Sequence, residues 1–65
     1  MKTITALEVK QGDKIRIRHN NESYEMYVSN AIFRSDEGTV TLWGSWVLFG
    51  VPVSQYVILV SENWD

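Results

Sequence analysis

Apolar and polar residues alternate with a period of two along most of this chain, in short runs broken by Asn, Asp and Gly, and no segment carries a 3.6-residue period. That pattern reads as a small all-β domain. Its clearest unit is DKIRIRHNNESYEMYV, Asp13 to Val28. Asn20 and Asn21 suit a two-residue turn, because asparagine tolerates the positive φ that primed hairpin turns need. Counting outward from that turn, Ile17 faces Tyr24 and Ile15 faces Met26 on one side of the sheet. On the other side Arg16 meets Glu25, Lys14 meets Tyr27 and Arg18 meets Ser23. A single register thus sets apolar beside apolar and positive beside negative, which is how cross-strand pairs hold a sheet.

A second hairpin is expected in IFRSDEGTVTLW, where Ser35 to Gly38 supply turn chemistry and Gly38 suits a left-handed bulge position. Its strands are Ala31 to Arg34 and Thr39 to Trp43. Before the first hairpin, Thr3 to Glu8 reads as a short edge strand or an irregular entry. The most unusual stretch is LWGSWVLFGVPVSQYVILV, residues 42 to 60, inside an uncharged run from Gly38 to Ser61.

A run of about 18 apolar residues is long enough to be tested as a membrane span. Gly50, Pro52, Ser54 and Gln55 fall in its middle, where a lipid-exposed helix accommodates them least, and no basic residue follows to anchor it. Its many valines and isoleucines favour strands. The run divides instead into Thr39 to Trp43, Trp46 to Val51 and Tyr56 to Ser61, with Pro52 in the connection before the last strand. With Gly44 and Ser45 as a two-residue turn, Trp43 opposes Trp46, Leu42 opposes Val47 and Val40 opposes Phe49. Val40, Leu42, Val47 and Phe49 then line the core, leaving Trp43, Trp46 and Leu48 on the opposite face. A single small barrel cannot bury both faces of a hairpin, so a partner, a ligand or a further copy is expected to cover them, unless one tryptophan closes an end of the barrel.

Composition narrows the chemistry. At 65 residues the chain is one domain, and a domain of that size buries only about 60% of its unfolded surface. There is no cysteine, hence no disulfide, and His19 is the only imidazole, so no metal or other cofactor is expected. The remaining supports are a partner subunit or unusually efficient packing, so self-association is an open option. The opening MKTITALEVKQGD has no apolar stretch before its charges, so it does not read as a secretory signal, and a cytoplasmic location is expected. Asn21 to Ser23 spells a glycosylation acceptor but reads as part of a turn.

All six basic residues lie in the first 34 positions, while net charge is −2. Lys14, Arg16 and Arg18 share one strand face with Lys10 nearby, the basic track expected of a single-stranded nucleic-acid or nucleotide-binding barrel. Against that reading, Glu25 faces Arg16, and the aromatic cluster lies on a different hairpin. No nucleophile elbow, phosphate loop or zinc spacing is present, and His19, beside a turn and opposite Glu22, reads as a hairpin-end residue. The chain is not expected to be an enzyme.

Two segments carry a family resemblance. ALEVKQGDKIRI, Ala6 to Ile17, resembles the leucine, aromatic or valine, and lysine-glycine-aspartate entry into a strand of SH3 domains. GVPVSQYVILV, Gly50 to Val60, is similar to their glycine, hydrophobic, proline-serine-asparagine-tyrosine-valine signature, where a short helical turn leads into the last strand. The resemblance implies a five-stranded, strongly bent antiparallel SH3-like barrel spanning residues 1–65. In that family the proline, the tyrosine and a strand tryptophan grip polyproline peptides. Pro52 and Tyr56 match, with Trp43 or Trp46 for the tryptophan. Val53 is an extra residue, and the aromatic alanine-leucine-tyrosine motif that forms half the groove has no counterpart, so the resemblance implies the barrel more than the ligand. The expected function is a non-catalytic protein-interaction module that self-associates or docks on a partner through Trp43, Trp46 and Leu48, with Pro52 and Tyr56. Such a description suits a small phage or mobile-element inhibitor of a host enzyme.

Overall fold

The computed structural model describes residues 1–62. It contains seven strands and one 3-10 turn: β1 (Lys2–Thr5), the turn Ala6–Glu8, β2 (Lys14–His19), β3 (Glu22–Tyr27), β4 (Asn30–Arg34), β5 (Thr39–Trp43), β6 (Val47–Pro52) and β7 (Tyr56–Ser61). Every pairing is antiparallel. The strands form two sheets, β1-β7-β2-β3 and β4-β5-β6, in place of the five strands of one closed barrel expected from the sequence. Among the described residues no helix is long and apolar enough to cross a membrane.

The first hairpin follows its side-chain pattern. Ile17 pairs with Tyr24, Ile15 with Met26 and Arg16 with Glu25, while Asn20 and Asn21 sit at φ 51° and 67°. Both central residues of a type I′ turn need that positive φ. Upstream, Lys10 to Asp13 make a tight turn in which the Asp13 amide donates to the Lys10 carbonyl (3.1 Å) and Gly12 takes φ 94°. The Asp13 carboxylate accepts the Lys10 amide at 2.9 Å, fastening the turn from inside.

The two sheets are joined by a corner at Val28 and Ser29. Val28 still bonds toward β2, donating to the Asp13 carbonyl (2.8 Å) and accepting from the Gly12 amide (2.7 Å), whereas the Ser29 amide donates to the Trp43 carbonyl of β5 (2.7 Å). Consecutive backbone groups therefore change partner, and each remains satisfied as the chain crosses from one sheet to the other. At the opposite edge, β1 pairs along β7 and the Ala6–Glu8 turn docks on the connection between β6 and β7. The Ala6 amide donates to the Gln55 carbonyl (2.9 Å), and the Leu7 amide to the Val53 carbonyl (3.3 Å).

The hairpin between β5 and β6 departs from expectation, and the departure decides which residues are inside. Trp43 pairs with Val47, so Gly44, Ser45 and Trp46 form a three-residue loop instead of a two-residue turn at Gly44 and Ser45. A further irregularity sets Phe49 and Gly50 together opposite Thr41, with Gly50 at φ 69°, a conformation favouring glycine at a bulge. Because side chains alternate strictly, a one-residue change in loop length exchanges the faces of the following strand. Leu48, expected on the outer face, is only 3% exposed and pairs with Leu42 in the core, while Val47 and Phe49, expected inside, face outward. Pro52 lies in β6 itself, opposite Thr39, instead of in the connection. As the last residue of an edge strand it interrupts no ladder on its far side. The remaining core is shared by both sheets, with Ile15, Met26 and Val57 from one packed with Val40, Leu42 and Val51 from the other.

Candidate functional site

Because one core lies between the two sheets, each sheet has an outer face whose side chains follow from the registers. On the three-stranded sheet that face carries Ile32 from β4, Thr39, Thr41 and Trp43 from β5, and Val47, Phe49 and Pro52 from β6. Trp43 is 40% exposed and Phe49 64%, with Ile32 and Val47 also exposed. The rings of Trp43 and Phe49 meet edge to face, their centroids 6.2 Å apart at 74°. Thr41 lies between Ile32 and the bulge and is nearly buried, though it points away from the core. Asn30, paired with Trp43, and Arg34, paired with Thr39, give this apolar patch polar ends.

The interaction residues expected from the sequence do not form one surface. Trp43 and Pro52 share the outer face of the three-stranded sheet. Trp46 sits in the β5–β6 loop, where its ring packs edge-on against Tyr24 of β3 at 5.3 Å and 61°. Tyr24 is itself packed against the core, so Trp46 covers an end of the core while keeping about half its surface in solvent. Leu48 is a core residue, which removes it from any surface. Tyr56 belongs to the other sheet. The missed contributors are Ile32, Val47 and Phe49. For Val47 and Phe49 the signal was Gly50, since a glycine inside a strand pattern marks a bulge and a bulge changes the alternation; Ile32 follows from its pairing with Thr41.

The outer face of the four-stranded sheet has different chemistry. β2 presents Lys14, Arg16 and Arg18 there, β3 presents Ser23, Glu25 and Tyr27, and β7 presents Tyr56 and Ile58. Glu25 binds two of the three cations: Arg16 Nε and Nη2 both stand 3.0 Å from Oε1, and Lys14 Nζ stands 3.4 Å from Oε2. The Lys14 ammonium also lies 5.3 Å from the centre of the Tyr27 ring, within cation–π range. Arg18 makes no ion pair among the described residues. Lys10 does not extend this track; it lines an open cleft with Lys2, Ile4, Glu8, Asp13, Leu59 and Glu62. No group of carboxylates and imidazole among the described residues is arranged to hold a metal ion.

The hydrogen bond from Arg16, assisted by Lys14, holds the Glu25 carboxyl below its ordinary value of 4.5. A carboxylate with a lower value folded than unfolded adds stability that is complete above the unfolded value and lost as pH falls through the folded one. The pair is exposed, so its effect is small and screened by salt. The urea midpoint is therefore expected to fall between about pH 7 and about pH 3, and Glu25→Gln should narrow that difference. An unchanged difference in the variant would show that the pair carries none of the acid sensitivity. Comparison with protein-family models, curated proteins and solved structures found no match.

Proposed function

We propose that the chain is a non-catalytic protein-interaction module whose binding surface is the outer face of the three-stranded sheet. The observation that carries this is the grouping of Trp43, Phe49, Val47 and Ile32, all exposed, on one face with polar ends. Exposed contiguous apolar surface of this kind marks association sites, and aromatic residues are enriched in their centres. A second copy is the simplest cover for a domain this small, and a partner such as a host enzyme is the other occupant consistent with an inhibitor.

The five-stranded, SH3-like description is proposed on the same footing. With β3 and β4 counted as one strand bent at Val28 and Ser29, the order becomes β7-β2-β3/β4-β5-β6, a four-strand meander joined at β2 by the returning β7 as fifth strand, with β1 added outside β7. The hydrogen bonds from Ala6 and Leu7 to the β6–β7 connection support the curvature such a barrel needs.

Light scattering over a range of concentrations tests the surface. Apparent mass should rise with concentration in the wild type and stay at 7.5 kDa in Trp43→Ser/Phe49→Ser, whose far-ultraviolet circular dichroism should be unchanged. A variant that associates as the wild type does would refute the surface. A wild type that stays monomeric would refute self-association and leave the partner protein as the occupant to be sought.

A further inference from the structure

The second outer face combines features that the sequence separates. Arg16 of β2 pairs with Ile58 of β7, and continuing that antiparallel register sets Arg18 beside Tyr56. The Gln55 side-chain amide donates to the Arg18 carbonyl at this point, tying the two strands. At the far end of β2, Lys14 pairs with Tyr27 of β3. The result is a row of three cations, Lys14, Arg16 and Arg18, about 13 Å long at about 3.3 Å per residue, with an exposed tyrosine ring at each end and on opposite flanks. Tyr27 is 63% exposed and Tyr56 is 75% exposed. Against the three cations this face carries one carboxylate, Glu25, a local charge of +2 in a chain whose net charge is −2. The remaining neighbours are Thr3, Thr5 and Ser23, small and uncharged, and Ile58, partly exposed beside Arg16.

We propose that the outer face of the β1-β7-β2-β3 sheet binds single-stranded nucleic acid, with Lys14, Arg16 and Arg18 on successive phosphates and Tyr27 and Tyr56 stacking on bases. Phosphate chemistry suits the row because Arg18 is unpaired among the described residues, and Arg16 already presents two guanidinium nitrogens to a carboxylate oxygen that a phosphate oxygen can replace. The rings favour a single strand over a duplex, since only unpaired bases expose the faces on which tyrosine stacks. An acidic polypeptide would satisfy the cations but leave the two rings without a role. Glu25 acts as an internal competitor: it occupies Lys14 and Arg16 when no strand is bound and must release them as phosphates arrive. This face points away from the apolar patch of the other sheet, so both surfaces can be occupied at once.

Fluorescence anisotropy with labelled oligo-dT, oligo-U and a duplex, in low salt, tests the assignment on the full chain. Both single strands should bind, and log K should fall with log salt at a slope of about −2, as expected for three phosphates at about 0.7 each. Arg18→Ala and Tyr56→Ser should each weaken binding by about fivefold or more. Glu25→Gln should strengthen it, an outcome that general damage to the fold would not produce. Trp43→Ser/Phe49→Ser should bind as the wild type does, which separates this surface from the protein-interaction surface. Preference for oligo-U would assign RNA, and preference for oligo-dT would assign DNA, both within the proposal. No binding to either strand, equal affinity for the duplex or for polyglutamate, or indifference to Arg18→Ala and Tyr56→Ser would overturn it.

Discussion

Leu48→Ala should cost about 2–4 kcal/mol of stability, while Phe49→Ser, one residue away, should shift it by about 1 kcal/mol or less. Leu48 is enclosed in the core opposite Leu42, so truncation leaves a cavity that neighbouring side chains fill only partly. Phe49 loses an edge contact with Trp43 and little buried area. For 65 residues the whole folding free energy is roughly 3–10 kcal/mol, so the first variant should approach unfolding at ambient temperature and the second should not. Urea denaturation followed by circular dichroism measures both. The opposite ranking would restore the two-residue turn at Gly44 and Ser45 and with it Phe49 as a core residue. The same pair bears on function, because only Phe49→Ser should disturb self-association while the protein stays folded.

Gly44→Ala should be about as damaging, for a steric reason. A Cβ at position 44 would stand 2.5 Å from the Tyr27 carbonyl oxygen and 2.9 Å from the Met26 sulfur. The sulfur can swing aside; the oxygen belongs to the backbone of β3, whose ladder with β2 fixes it. The β5–β6 loop must then lift from β3, parting the two sheets at this close approach. Overpacking of this kind costs about 3 kcal/mol, which at about 4–8 °C per kcal/mol lowers the melting temperature by about 10 °C or more. Gly38→Ala and Gly50→Ala are the controls. Both positions have positive φ but nothing within 4 Å of an added Cβ, so each should cost only the left-handed penalty of about 1–2 kcal/mol. Equal losses at all three positions would mean that Gly44 serves the turn's conformation and not the close approach.

Short-range rules reached the parts of this molecule whose partners are close in sequence. The Asn20-Asn21 turn, the pairs from Lys14 and Tyr27 to Arg18 and Ser23, and the bounds of β5 and β7 all follow from alternation and turn chemistry. In the β2–β3 hairpin two asparagines leave one loop length, and both faces agree with it. In the β5–β6 hairpin Gly44 and Ser45 fit two loop lengths, and both faces are apolar, so composition could not say which side was inside. In the fold Gly44 comes close to β3, an approach that spans two sheets and lies beyond any short-range rule.

The candidate surfaces divide in the same way. Exposed tryptophan was legible as soon as one hairpin was found to be apolar on both faces, and Trp43 does project from the outer face. That one tryptophan could close an end was legible as an alternative, but that it is Trp46 was not, because Tyr24 lies on a hairpin more than twenty residues earlier. Nor could the sequence place Tyr56 beside the basic track, since β7 reaches β2 only when the last strand returns between β1 and β2.

From its order of residues alone, then, the chain is committed to strands, to two hairpins and to more apolar surface than one small core can hold. Periodicity and turn chemistry act over a few residues and need no other part of the fold. Which apolar side chains face water, and which rings stand beside which charges, was decided by the corner at Val28 and Ser29, the bulge at Gly50 and the return of β7. Each of those sets the relation of one sheet or strand to another, and a side chain's exposure is a property of that relation.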